Sequence, residues 1–77
     1  MDLDTKITIL RLYETFCYQV CYYIIQDSHL SIEAARETLL AVARDPGFFI
    51  ATHEEQEKKV RLFAVRSTIR IKTKVGA

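Results

Sequence analysis

SIEAARETLLAVARDPGFF, residues 31 to 49, carries a helix start, an amphipathic repeat and a helix stop in one short run. The Ser31 hydroxyl can accept a bond from an orphan N–H of a helix start, and Glu33 falls near the positive end of the helix dipole. The spacing therefore predicts a helix over about 32–44, stopped by Asp45-Pro46-Gly47, where proline cannot continue the backbone pattern. Ala35, Leu39, Val42 and Ala43 form its inward stripe, which leaves Glu33, Arg36, Glu37, Leu40 and Arg44 outward. A leucine set among charges on an outward face is not explained by a core.

Working toward the N-terminus, Ile9, Tyr13, Phe16, Val20 and Ile24 recur at helical spacing, widened by Leu12, Cys17, Cys21 and Tyr23. Thr8, Arg11, Thr15, Gln19, Tyr22 and Gln26 mark the opposite side, so a single amphipathic helix is expected over about 4–26. Tyr18 and Tyr22 lie four residues apart at its polar edge, where their rings can cover the core margin with hydroxyls in water.

Toward the C-terminus, Thr52-His53-Glu54-Glu55 is a capping box, which places the start of a third helix at residue 53. Its acids come first and its bases follow, as the macrodipole favours. Apolar residues fall in two stripes: Val60, Phe63, Ala64 and Ile71 on one side, Leu62, Val65 and Ile69 on the other. A helix apolar on two sides is covered on both, or docks one of them elsewhere. From Thr68 to Val75 the alternation also fits a strand, but a lone strand has nothing to pair with in so short a chain, and helix is expected to about residue 72.

These elements make a small all-α domain, a three-helix bundle spanning residues 1–77. A core drawn from a 77-residue chain sits near the lower size for independent folding, with net stability of roughly 3 to 5 kcal/mol, so a partner or self-association would matter. Ile7 to Ile25 is the most hydrophobic stretch, yet Arg11, Glu14 and Gln19 interrupt it, so no membrane span is expected. The acidic start and the absence of a basic leader suggest a cytoplasmic protein, as do Cys17 and Cys21, whose spacing on a helix does not favour a disulfide.

Charge is unevenly placed. Residues 1–57 hold ten acids and four bases (−6), whereas 58–77 hold seven bases and no acid (+7). A basic end of this kind either completes a helix dipole in solvent or meets successive phosphates of a nucleic acid. Cys17, Cys21, His29 and His53 could in principle supply a zinc site, but the cysteines fall within the apolar stripe and the histidines lack ligand spacing, so no metal or cofactor is expected. There is no glycine-rich phosphate loop and no nucleophile elbow, and an enzyme is not expected either.

The stretches LYETFCYQVCYYIIQD (12–27) and DSHLSIEAARETLLAVAR (27–44), followed by LFAVRSTIRIKTK (62–74), agree in order, length and hydrophobic phase with region 2 of bacterial RNA polymerase sigma factors. The chain resembles most the extracytoplasmic-function type. The resemblance implies that Glu33, Arg36, Glu37 and Leu40 form a face that docks on the coiled coil of the core RNA polymerase β′ subunit. Glu37 matches the family glutamate, while Arg36 stands at the usual glutamine position. It further implies that the last helix touches the −10 promoter DNA through Arg66, Arg70, Lys72 and Lys74. Arg66 and Arg70 replace the family's asparagine and aspartate, and no tryptophan follows the second helix, so phosphate contact is expected rather than base reading. A helix-turn-helix domain for the −35 element does not follow, which implies a fragment, half of a split sigma factor completed by a companion protein, or a degenerate relative that only binds polymerase. The other expectation, drawn from the residues alone, is a helical interaction or regulatory protein that homodimerises through Leu62, Val65 and Ile69 without binding DNA.

Overall fold

The computed structural model describes residues 1–76, with side chains placed through Lys74, and it is all-helical. Four helices follow one another: α1 (Leu3–Leu12), α2 (Glu14–Ile25), α3 (Ser28–Ala43) and α4 (His53–Gly76). The single helix expected over 4–26 is thus two, divided at Tyr13. Neither proline nor glycine causes the break. Tyr13 keeps near-helical angles (φ −104°, ψ 0°) and its N–H turns back to the Leu10 carbonyl at 3.0 Å, a tightened turn. Its ring lies inward and reaches the start of α4, stacked on His53 with its hydroxyl on Gln56, so the interruption sits where the chain makes a long-range contact.

α2 and α3 form a tight antiparallel pair. Gln26 closes α2 in the left-handed conformation (φ 57°), and the carboxylate of Asp27 then accepts the Leu30 N–H at 2.9 Å. The expected cap at Ser31 is therefore corrected: Asp27 caps one turn earlier, and Ser31 lies fully buried inside α3 with its hydroxyl unpartnered. The inward stripe shifts with it. Ser31, Ala34, Ala35, Thr38 and Val42 are the buried residues of α3, while Leu39 and Ala43 are only half-buried. They face Cys17 and Cys21, whose small side chains are also fully buried, and the Cys17 thiol reaches the Ala35 carbonyl at 3.7 Å. Side chains this small allow two backbones to approach closely.

The turn after α3 is organised by Asp45, which accepts the Gly47 N–H at 2.9 Å and the Lys59 ammonium at 2.6 Å. Phe48 then drops into the core with no exposure, edge-on to Tyr13 and Phe49. Thr52 caps α4 as expected, accepting the Glu55 N–H at 3.2 Å. α4 continues in helix through Gly76, beyond the expected end near residue 72 and in place of the strand that the alternation permitted. It runs along both other long helices, with Val60, Ala64, Ser67, Thr68 and Ile71 buried. Lys59 on Asp45 at one end and Arg70 on Glu37 further along set α4 antiparallel to α3.

Candidate functional site: the α3–α4 face

Positions 33, 36, 37 and 40 are spaced to share one side of a helix, and α3 turns that side away from the core. Glu33 and Arg36 are exposed, Glu37 is half-buried, and Leu40 stands 54% exposed among them. The mixed face expected from the sequence is therefore assembled on α3. No contact with the core explains Leu40.

The basic residues of α4 divide. At 3.6 residues per turn, Arg66, Arg70 and Lys74 align along the edge of α4 that adjoins α3, whereas Lys72 turns to the opposite side. Three of the four expected phosphate-binding residues are thus brought together and the fourth is not. Arg70 forms an ion pair with Glu37, so the two surfaces expected to meet different partners touch each other. Glu33, Glu37, Arg70 and Lys74 line a cleft of ≈ 470 Å³ between the helices, over Ile71. Beside it, Arg66 lies 5.6 Å from the Phe63 ring centroid, and Phe63, Arg66, Ser67 and Arg70 border a shallower hollow against Ala41. A half-buried aromatic ring beside the Arg66 guanidinium can offer a stacking surface and phosphate charge together. The sequence reading assigned Phe63 to the core stripe only. Its position three residues before Arg66 and seven before Arg70 was the available signal.

A second set of polar groups joins the N-terminal half to α4. The Tyr13 hydroxyl lies 2.8 Å from Gln56 Oε1 and 2.8 Å from His53 Nδ1, while Gln56 Nε2 donates to the Phe48 carbonyl at 2.9 Å. Because Phe48 fixes the Gln56 amide, its oxygen must take the single hydroxyl proton, and His53 Nδ1–H donates to the phenol oxygen. Burial, reinforced by the charge of Glu57, pushes the Tyr13 phenol above its ordinary range. This set holds the break between α1 and α2 against the start of α4; the sequence reading missed it because the partners lie some 40 residues apart in the chain.

The cysteines are both free and buried. Their mutual hydrogen bond, with burial, raises the Cys17 thiol above the usual range, which keeps it protonated. Among the described residues, no group of three or more His, Cys, Asp or Glu side chains is placed to hold a metal ion. No helix among them is long and apolar enough to cross a membrane. The outer stripe of α4 remains uncovered, with Leu62 47% and Ile69 57% exposed. In comparisons with known proteins, the chain matches no family model, no curated protein and no solved structure.

Proposed function

We propose that this chain is a transcription-associated module of the sigma region-2 type, which docks on core RNA polymerase through α3 and meets promoter DNA through the α3-facing edge of α4. The observation that carries the reading is the face of Glu33, Arg36 and Leu40, with Glu37 at its α4 edge held by Arg70, charged around one exposed leucine that makes no core contact. Interfaces are built in this way, with a desolvated apolar anchor inside a polar rim. The β′ coiled coil is the partner suggested by the resemblance of residues 12–74 to region 2. Arg66, Arg70 and Lys74 supply the cations for DNA, and the Phe63 ring beside Arg66 supplies a stacking surface.

Co-purification of the tagged chain with bacterial core polymerase tests the reading. Wild type is expected to bind, and Arg36→Glu combined with Glu37→Lys to lose binding while helicity by circular dichroism stays unchanged. Removing one partner of a buried charge pair at such an interface costs about 2 to 5 kcal/mol. Retained binding by the double variant would remove the proposed face, and no binding by wild type would remove the polymerase partner altogether.

A further inference from the structure

α3 and α4 run antiparallel in a register that their contacts define. Glu37 meets Arg70. One turn along, Glu33 and Lys74 border the same cleft, and one turn back Ala41 and Arg66 border the neighbouring hollow. The three cations that α4 turns toward α3 therefore face different residues on the opposite wall. Arg66 faces a methyl group and lies over the Phe63 ring, with no acid paired to it among the described residues. Arg70 faces a carboxylate and is bound to it. Because α4 has no acid from Lys58 onward, the acids that border this edge, Glu33 and Glu37, both come from α3.

The two members of the pair are unequal. The Glu37 side chain is 34% exposed and that of Arg70 66%. Glu37 sits against a cleft over the buried Ile71, whereas most of the Arg70 side chain is in water. The carboxylate is thus the confined member and the guanidinium the one free to swing away. A carboxylate and a phosphate compete for the same planar fork of donors on an arginine. To reach a phosphate, Arg70 must first leave Glu37. Only molecules in which the pair is open then bind at full strength, and the apparent affinity falls by that fraction. Arg66 carries no such penalty.

We propose that Glu37 is an internal competitor of nucleic acid: its carboxylate occupies the Arg70 guanidinium in the place of a phosphate and lowers the affinity of the α3-facing edge of α4 for DNA. The proposal rests on the reading of that edge as a DNA surface and is independent of polymerase docking.

The test is fluorescence anisotropy of a fluorescein-labelled oligothymidylate titrated with the full chain at one fixed ionic strength, for wild type, Glu37→Gln, Arg70→Gln and the double variant. A pair closed about two-thirds of the time lowers affinity about threefold, so Glu37→Gln is expected to bind about threefold more tightly than wild type, or better. In the Arg70→Gln background the same change should have no effect, because the guanidinium it would release is absent. Neither residue belongs to the buried core, and circular dichroism of the variants should match that of wild type. Equal affinity of wild type and Glu37→Gln would overturn the competition and leave the DNA surface standing. A gain that persists without Arg70 would overturn it as well, since Glu37 would then act only through the general field of its charge. Binding by neither wild type nor Glu37→Gln would remove the DNA surface, and the proposal with it.

Discussion

Replacing Tyr13 by phenylalanine removes one oxygen from the centre of the molecule. The ring keeps its place, stacked on His53 with centroids 5.7 Å apart and edge-on to Phe48 at 5.9 Å, so the packing is largely kept. What disappears is the hydroxyl that donates to Gln56 Oε1 at 2.8 Å. Gln56 is only 8% exposed and its Nε2 remains held by the Phe48 carbonyl, so the amide cannot turn to find water. A buried acceptor left without a donor costs about 1 to 3 kcal/mol. Against a total of roughly 3 to 5 kcal/mol for so small a domain, that is a large share. Thermal unfolding followed by circular dichroism should show the midpoint falling by roughly 4 to 8 °C for each kcal/mol of destabilisation. A cycle with Gln56→Leu separates the hydroxyl from the ring, because the double variant leaves no orphaned acceptor and should be less destabilised than the two single changes added. A Tyr13→Phe destabilisation below about 0.5 kcal/mol, or strict additivity with Gln56→Leu, would refute the argument that this hydrogen bond tethers the N-terminal half to α4.

Two further outcomes follow from the charges. Hydrogen bonds from Lys59 and from the Gly47 N–H hold the Asp45 carboxyl below its ordinary value of 3.8, so its contribution is complete above that value and disappears as pH falls through the lower folded one. Asp45→Asn should accordingly be less stable than wild type at neutral pH and converge on it in acid; a constant difference across an acid titration of urea unfolding would contradict this. For single-stranded DNA, Arg66→Gln, Arg70→Gln and Lys74→Gln should each reduce the slope of log affinity against log salt by about 0.7, while Lys72→Gln leaves it unchanged. An equal reduction at Lys72 would show that DNA is not confined to the α3-facing edge.

Residues encode locally what can be read locally. The helical class, the stop at Asp45-Pro46-Gly47, the Thr52 cap and the outward position of Leu40 among charges all follow from spacing within a few positions, where i, i+3 and i+4 neighbours set the outcome. Other features needed the assembled chain. Ser31 and Asp27 are both competent caps by composition, and the choice fell on Asp27 as Ser31 became a buried contact of α3. The break at Tyr13 is marked by no proline or glycine, and it coincides with contacts to residues far along the chain, the hydroxyl on Gln56 and the ring on Phe48. Likewise, the apolar residues of the first stretch look alike in sequence, yet Tyr13, Cys17 and Cys21 entered the core while Leu12 and Tyr23 stayed outside. A stripe wider than the contact that covers it leaves its edges exposed, and which edge is left depends on where the neighbouring helices lie. Local spacing thus sets the helical class, the order of charge along the last helix and, by helical phase, the separation of Lys72 from Arg66 and Lys74; that Glu37 meets Arg70, and that α2 and α4 flank a groove, comes from how the helices pack. Those relations join residues far apart in the chain, and helical periodicity carries no information about distance between helices.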